Sequence, residues 1–337
     1  MDERFDMLVD LASDRVGGQV VAANDDFFAP KENLVSDALP VWKPGEYTNR
    51  GKWMDGWETR RRREAGHDWA IVRLGVRGII RHAVVDTSFF TGNYPDACSI
   101  ERIDLPGRPD LVELARDAQR WETLVERHLL DGDTVNDVPI PDHDAPTSHA
   151  RLVIFPDGGV ARLRLLGEPV PPTGLLDGRT EVDLAALHSG GRAIDCSDRH
   201  YSSPNRMLVG GKPRGMWDGW ETKRRRGEGN DWAVIRLAGR GTVSRVEIDT
   251  THFKGNAPGS AQVEGIDAPD ASLDDLRFAD WATLLPETPL QPHRRHRFSE
   301  LAVAGPFTHL RLDIYPDGGV ARFRAHGTSD APWISLT

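Results

Sequence analysis

The chain has 337 residues, of which 39% are hydrophobic and 28% are charged, and its formal net charge is −10. This composition is typical of a soluble globular protein with two ordinary domains, and no apolar run approaches the roughly 20 residues that a membrane span needs. The negative charge argues against a nucleic-acid partner, which normally requires a basic face. We therefore expect a cytoplasmic protein with neither a nucleic-acid partner nor a membrane partner.

The first predicted elements are a helix and two strands. Apolar spacing predicts the helix over residues 5–12. Residues 55–74 read DGWETRRRREAGHDWAIVRL and contain four consecutive arginines at 60–63. Such a run is most often a solvated rim, and the sharper alternative is a pocket for a small anion. Over residues 69–87, β-branched residues broken by glycine predict two adjacent strands joined by a tight turn.

Further along the chain, a helix, a hairpin and a linker are predicted. The helix covers residues 110–121. Residues 149–164 read HARLVIFPDGGVARLR, and the Pro-Asp-Gly-Gly stretch at 156–159 supplies the residues of a hairpin turn. Proline and glycine in EPVPPTGLLDG, from residue 168, predict an extended linker, and a short leader at 180–188 follows it.

Both long phrases return in the second half of the chain. Residues 218–237 match residues 55–74 at 14 of 20 positions, and residues 309–324 match residues 149–164 at 12 of 16. Because the copies lie 163 and 160 residues apart, the repeating unit is a whole domain. We predict one repeat over 1–167, a linker and leader over 168–188, and a second repeat over 189–337, with a helix near 272–281.

The predicted fold class is all-β. Many short strands with few helices indicate an antiparallel β-sandwich or jelly roll in each repeat.

Familiar catalytic signatures are absent from the sequence, which has no GxSxG elbow, phosphate-binding glycine loop, HExxH pair or paired CxxC. Cys98 and Cys196 occupy non-equivalent places in the two repeats, which indicates neither a disulfide framework nor a thiolate metal site. We expect that no cofactor is required. A divalent metal is an alternative that no ligand spacing in the sequence supports.

Several phrases together closely resemble allantoicase. They are LVDLASDRVGG from residue 8, the doubled DGWET and PDGGVAR phrases, and DTSFFTGN at 86–93 with DTTHFKGN at 249–256. The resemblance covers nearly the whole chain. It implies two jelly-roll repeats similar to galactose-binding-like, discoidin-type β-sandwiches, and hydrolysis of allantoate to ureidoglycolate and urea in purine degradation. It also implies a homo-oligomer, since family members are oligomers and often hexamers.

Allantoate has one carboxylate and two ureido arms, so its site needs a cationic fork, hydrogen-bond acceptors and an acid for the departing nitrogen. Residues shared by the two repeats supply these groups. For acid–base catalysis we predict Glu58, Glu221, His149 and His309. For the carboxylate we predict three arginine pairs: Arg50 with Arg214, Arg61 with Arg224, and Arg151 with Arg311. For the ureido groups we predict Asp25 with Asp198, Asp55 with Asp218, Asp86 with Asp249, and Asn93 with Asn256.

Most of these residues also have a structural interpretation. Only for Glu58 and Glu221 is the functional interpretation favoured over the structural one. The repeated tryptophans favour core positions, and the aspartates of the PDGG turns favour capping of their own backbone. The structural alternatives are a core position for Trp57, Trp69, Trp220 and Trp232, and backbone capping for Asp157 and Asp317. They are an Asx turn for Asp86 and Asp249, and a hydrogen bond to a neighbouring carbonyl for His149 and His309.

Two other functions compete with allantoate hydrolysis. One is a non-catalytic tandem β-sandwich that binds a sugar or another small polar ligand. The other is hydrolysis of a different ureido compound, such as ureidoglycolate. The repeats differ at polar positions, with His252 opposite Phe89 and His200 opposite Phe27. The sequence therefore leaves open whether one repeat, both repeats or a junction holds the site.

Overall fold

The computed structural model describes residues 5, 7–105, 110, 114 and 120–332. These residues form two compact units that divide between Glu168 and Pro169, with Met7 belonging to the second unit. Part of the segment 168–188 is a strand of the second unit, because Val182–Asp183 pairs with Gly327 and His326.

The first unit is built almost entirely from strands. In chain order they are β1 (Val9–Asp10), β2 (Gln19–Ala23), β3 (Tyr47–Thr48), β4 (Gly51–Lys52), β5 (Trp57–Glu58), β6 (Asp68–Asp86), β7 (Ala97–Ile103), β8 (Glu122–Leu129), β9 (Val135–Pro139), β10 (Thr147–Phe155), β11 (Gly159–Val160) and β12 (Arg162–Pro169). Short 3-10 helices cover Asp14–Val16 and Lys31–Val35.

The second unit repeats this order. Its strands are β13 (Val182–Asp183), β14 (Arg192–Cys196), β15 (Trp220–Glu221), β16 (Asp231–Asp249), β17 (Ser260–Ile266), β18 (Ala282–Pro289), β19 (Arg295–Phe298), β20 (Phe307–Tyr315), β21 (Gly319–Val320) and β22 (Arg322–Pro332). Three 3-10 helices cover Leu187–Ser189, Pro204–Leu208 and Met216–Asp218, and one α-helix covers Leu273–Phe278.

One long strand connects the two sheets of each sandwich. In the second unit, the start of β16 pairs with β14 and β20, whereas its end pairs with β19 and β22. One sheet therefore has the order β14-β16-β20-β17-β18 and the other β13-β22-β16-β19. Strand β6 has the same neighbours in the first unit, since its start pairs with β2 and β10 and its end with β9. The all-β fold with two sandwich repeats is confirmed.

The predicted turn between two strands at 69–87 was wrong, because residues 69–86 lie within the continuous strand β6 (Asp68–Asp86). Its glycines serve a different purpose. A Cβ on Gly75 would lie 2.4 Å from the backbone nitrogen of Gly18, so glycine permits close backbone approach where the strand passes between sheets.

The predicted hairpin at 149–164 was also wrong in its pairing. Strand β10 pairs with β6 and β7, and the chain after the turn pairs with β5 and then with β1 and β6. The turn residues are therefore present, but they carry the chain from one sheet to the other.

The helix predictions had mixed outcomes. The helix near 272–281 is confirmed as Leu273–Phe278, which begins with a capping box between Ser272 and Asp275. The helix predicted over 5–12 was wrong where the structure describes it, because Val9–Asp10 forms a strand edge against Leu166 and Gly167. Most of the helix predicted over 110–121 lies outside the described residues.

Aromatic and aliphatic side chains fill the interior of each sandwich. Trp57 and Trp220 are fully buried, as predicted. Trp69 and Trp232 are half-buried. Trp69 packs against the buried cluster of Ile71, Ile103, Leu114 and Trp121, at the edge of the core. Within the described ranges, no helix is long and apolar enough to cross a membrane.

Candidate functional site

In the first unit, Glu58 lies where loops from both sheets meet. It pairs with Gly159 across the short ladder of β5 and β11. The backbone carbonyl of Asn93 accepts a hydrogen bond from the Gly159 backbone nitrogen (2.7 Å). The Asn93 side-chain nitrogen donates to Glu58 Oε1 at 2.7 Å. The structure therefore brings two predicted site residues into direct contact.

The second unit reproduces this contact. Glu221 pairs with Gly319, and the Asn256 side-chain nitrogen donates to Glu221 Oε1 at 2.6 Å. Asn256 also accepts from the Gly319 backbone nitrogen (2.8 Å). We call this region of each unit the loop end. It comprises residues 24–28, 58–68, 93 and 156–159 in the first unit, and 197–201, 221–231, 256 and 316–319 in the second.

The environment of Glu58 favours its protonated form. Burial raises the pKa of this carboxyl, and the hydrogen bond from Asn93 and the charge of Lys52 oppose the rise. A raised pKa brings a carboxyl closer to the range in which it can exchange protons with a substrate or water, as a general acid or base must. Glu58 therefore has the properties of a general acid or base.

The predicted aspartates Asp25 and Asp198 hold the start of the basic run at the loop end. Asp25 accepts from the backbone nitrogen of Arg60 (3.2 Å) and from its guanidinium (2.6 Å). Asp198 accepts from the backbone nitrogen of Lys223 (3.0 Å) and lies 3.4 Å from its Nζ. These carboxylates are therefore committed to protein groups.

The third residue of each basic run is fixed twice. The Arg62 backbone nitrogen donates to Asp157 (2.9 Å), and its guanidinium donates to buried Asp68 (2.6 Å). In the second unit, Arg225 donates to Asp317 through its backbone (2.8 Å) and to buried Asp231 through its side chain. The turn aspartates thus hold the basic run, so the prediction that they cap their own backbone was wrong.

The remaining arginines of the runs have no such partner. Arg61, Arg63, Arg224 and Arg226 are exposed, and within the described part of the chain they form no ion pair or side-chain hydrogen bond. In the second unit, the run 223–227 borders a cavity of about 340 Å³ together with Ser197, Asp198 and Asp231. Two free guanidinium groups beside a cavity suit a small anion.

Asp55 and Asp218 have a structural role. Asp55 accepts from the buried guanidinium of Arg162 at 2.9 Å, and Asp218 accepts from buried Arg322 at 2.7 Å. An arginine in this environment needs a carboxylate partner. The predicted contact with a ureido group therefore competes with an internal ion pair.

Asp86 and Asp249 adopt the structural alternative. Each accepts from the backbone nitrogen two residues later, at Ser88 and Thr251 respectively, both at 2.8 Å. This is the Asx turn that the sequence offered as the alternative.

The two arginines of the first predicted pair, Arg50 and Arg214, have different surroundings in the two units. Arg50 donates to the Phe27 carbonyl (3.0 Å) and lies over the Phe27 ring, so it contacts the loop end from outside it. Arg214 donates from its backbone to Asp218, and its guanidinium lies over Trp217.

Arg151 and Arg311 lie within the sheets. Arg151 pairs with Glu101 and lies over the Trp121 ring, whereas Arg311 pairs with Asp313 (3.0 Å) and lies over Trp232. No described contact joins either guanidinium to a residue of the loop end.

His149 and His309 lie at the far end of β10 and β20. Six residues, about 20 Å of strand, separate His149 from Phe155, where the PDGG turn begins. Burial lowers the pKa of each imidazole to about 4, and nearby Arg73 and Arg236 act in the same direction. His149 Nδ1 lies 2.9 Å from the Ser148 hydroxyl, and His309 Nδ1 lies 3.1 Å from the Thr308 hydroxyl. The structure does not bring these histidines together with Glu58 and Glu221.

Sequence reasoning missed Arg63 and Arg226 as candidates, and it missed Asp157 and Asp317 as residues that position the basic run. The signal was present, because the PDGG phrase and the basic run are repeated together. Among the residues that the structure describes, no group of three His, Cys, Asp or Glu side chains is arranged to hold a metal ion.

Comparison with known proteins gives a consistent result. The family model described as "Allantoicase repeat" matches residues 9–170 and 182–330. The "Probable allantoicase" of Nocardia farcinica is 49% identical over 96% of this chain and 95% of its own length. The "Probable allantoicase" of Pseudomonas aeruginosa strain UCBPP-PA14 is 43% identical over 97% of this chain and 98% of its own length.

A solved structure agrees with these sequence matches. The crystal structure of allantoicase from Saccharomyces cerevisiae is 34% identical, with a TM-score of 0.78. The match covers 95% of this chain and 92% of that one.

Proposed function

Because the chain belongs to the allantoicase family, we propose that it hydrolyses allantoate to ureidoglycolate and urea at the loop end of each unit. The observation that carries this location is the glutamate–asparagine contact, which occurs in both units. In each unit the glutamate precedes two exposed arginines by three and five residues. Family membership favours a hydrolase over a non-catalytic binding module.

The loop end offers the groups that this hydrolysis requires. Arg61 and Arg63, or Arg224 and Arg226, bind the substrate carboxylate, since guanidinium groups grip carboxylates through two parallel hydrogen bonds. The asparagine orients the glutamate and has a carbonyl oxygen that can accept from a ureido nitrogen.

The glutamate transfers the protons. It takes a proton from the attacking water, whose oxygen bonds to the central carbon, and returns a proton to the ureido nitrogen as the C–N bond breaks. Urea leaves, and the hydroxyl stays on the carbon as ureidoglycolate. His149 and His309 have no part in this scheme, because they lie near the ends of β10 and β20 that are remote from the PDGG turns.

Glu58→Gln, Glu221→Gln and the double variant test the proposal. Glutamine keeps the contact with asparagine but cannot transfer a proton, so the double variant should lose about 100-fold or more of kcat. Each single variant should retain the turnover of the other unit. Urea release from allantoate is the measurement, with ureidoglycolate as the comparison substrate.

The control is Glu300→Gln, an exposed glutamate outside the loop end. Full activity of the double variant would refute the assignment of the glutamates. Release of urea from ureidoglycolate but not from allantoate would show that ureidoglycolate, and not allantoate, is the substrate.

The proposal includes a homo-oligomer. It is supported by large apolar side chains that stand exposed in one segment of the first unit, which a monomer would leave in water: Leu39, Val41 and Tyr47. Light scattering measures the mass directly. We also propose a cytoplasmic location, with which the two free cysteines Cys98 and Cys196 agree.

A further inference from the structure

A second group of cations lies on the outer face of the sheet β13-β22-β16-β19. It borders a groove of about 600 Å³, and its cations are Lys212, Arg245, Arg295, Arg297 and Arg324. Residues two apart on a strand share one face, so β19 and β22 direct their alternate side chains into the same groove. This face is distinct from the loop end, none of whose residues borders the groove.

Glu247, on the end of β16, holds two of these arginines side by side. Its Oε1 lies 3.0 Å from Arg295 Nε, and its Oε2 accepts from Arg297 Nε at 3.1 Å. Both contacts use Nε, and Arg295 Nε also lies 3.6 Å from the buried carboxylate of Asp249. The terminal nitrogens of both guanidinium groups, which form the edge that grips a carboxylate, have no hydrogen-bond partner within the described ranges.

Asp183 and Arg324 form the fixed part of the groove. Arg324 Nε lies 3.3 Å from Asp183, and its terminal nitrogens donate to the carbonyls of Met207 and Val209. These groups are therefore saturated by the fold. Lys212 Nζ adds a donor without a described side-chain partner, and the half-buried His326 ring lies close enough to Asp183 to interact with its charge.

The described part of the first unit has no such arrangement. Glu247 pairs with Arg297 across β16 and β19, whereas the equivalent pair across β6 and β9 is Val84 with Asp137. Val84 is buried, and His82 pairs with Asp137 at 3.1 Å. Among the described residues, the guanidinium pair is therefore found in the second unit and does not follow from the shared fold.

We propose that this groove is a binding site for a small dianion, separate from the catalytic loop end. Five cations and two acids line the groove, and both acids are engaged by arginines. Outside the lining, Glu181 pairs with Arg245 (3.1 Å) and Asp249 lies 3.6 Å from Arg295 Nε, so the positive charge left for a ligand comes mainly from Lys212 and the terminal nitrogens of Arg295 and Arg297. The paired forks of Arg295 and Arg297, with Lys212 beside them, suit either two carboxylates on one small molecule or one phosphate group. A dicarboxylate and a phosphate present the same oxygen chemistry to these donors.

Calorimetric titration of the full chain with malonate, and separately with inorganic phosphate, tests the proposal. The variants are Arg295→Gln and Arg297→Gln. The matched control is Arg294→Gln, which removes the same charge from an exposed arginine that does not border the groove. Each groove variant should weaken binding by about tenfold or more, and the control should leave it unchanged.

Binding of malonate alone would identify a dicarboxylate site, and binding of phosphate alone a phosphate site. Either supports the proposal. Failure of both probes to bind, or equal weakening by Arg294→Gln, would overturn it.

Two further measurements keep the result interpretable. Far-ultraviolet circular dichroism and light scattering should show unchanged fold and mass for the groove variants. Turnover of allantoate should persist in them. Loss of turnover in a folded variant would make the groove part of the reaction site, and a change in mass would make it a subunit contact; both would overturn a separate site.

Discussion

Arg61 and Arg62 are neighbours in the sequence but have different surroundings. Arg62 donates to a buried carboxylate and is held through its backbone by the PDGG turn, whereas Arg61 projects into solvent. The same division separates Arg224 from Arg225. Alternate side chains of an extended segment point to opposite sides, which is why one run supplies both anchors and free cations.

Substitution should separate these two roles. Arg61→Gln with Arg224→Gln should raise KM for allantoate about tenfold without changing stability, since it removes only a contact with the substrate. Arg62→Gln or Arg225→Gln should lower the free energy of unfolding by about 2 kcal/mol, because a buried carboxylate loses its partner. Urea denaturation and steady-state kinetics measure the two effects. Equal stability losses in both pairs would contradict the division.

His149 and His309 make the fold sensitive to acid. Each has a folded pKa of about 4, below its ordinary value of 6.5, because burial disfavours the imidazolium. Between these values the unfolded chain binds more protons, so stability is complete above pH 6.5 and declines as the pH falls towards 4. The contribution is at most roughly 3 kcal/mol for each histidine.

This dependence is tested by urea denaturation at pH 7.5 and pH 5. His149→Phe and His309→Phe should each reduce the loss of stability between the two values. The control is His67→Asn, an exposed position whose counterpart in the second unit is already Asn230. An unchanged loss in the phenylalanine variants would contradict the assignment.

At the scale of elements, the PDGG turn positions the candidate glutamate. Gly318 has φ of 133°, and a Cβ there would lie 2.6 Å from the Asn256 carbonyl oxygen. Asn256 in turn contacts Glu221. A substitution in the turn therefore reaches the site through one intermediate residue.

Gly318→Ala combined with Gly158→Ala should lower kcat about tenfold or more and also reduce stability, because the asparagine loop must move in both units. Gly92→Ala with Gly255→Ala is the matched control. These glycines precede the asparagines, and a Cβ at either meets nothing within 4 Å. Similar kinetics in the two double variants would show that the turn does not position the site.

Sequence patterns predicted elements better than their connections. β-branched runs identified the stretches that became β6 and β16, but glycine within them was interpreted as a turn. A glycine can break a strand or allow two backbones to approach, and local sequence does not distinguish these cases. Only the position of the neighbouring 3-10 helix, against which Gly75 packs, decides between them.

At the scale of the whole molecule, the two units share a fold and a loop end but differ on their sheet faces. A site search limited to residues shared by both repeats finds Glu58 and Glu221. It omits Arg295 and Arg297, whose counterparts across the equivalent strand pair are Val135 and Asp137. Comparison of the two repeats therefore identifies residues that both repeats share, but it overlooks residues, such as Arg295 and Arg297, that occur in only one repeat.

The whole enzyme should be insensitive to chelators. Neither loop end groups three metal-ligating side chains within the described residues, and the proposed scheme uses a glutamate to activate water. Urea release after prolonged dialysis against EDTA should equal that of untreated protein. Activity lost on dialysis and restored by a divalent cation would establish a metal requirement.

The sequence by itself determined the duplication, the all-β class, the family, and the pairing of a glutamate with a basic run. These follow from composition and from phrases that read alike in both halves. The tertiary structure alone decided which arginines are free, that Asp55 and Asp218 serve buried arginines, and that His149 lies about 20 Å of strand from the turn. The physical reason is that a side chain's partner depends on burial and on contacts between distant segments, such as Asp157 with Arg62, which spacing along the chain does not encode.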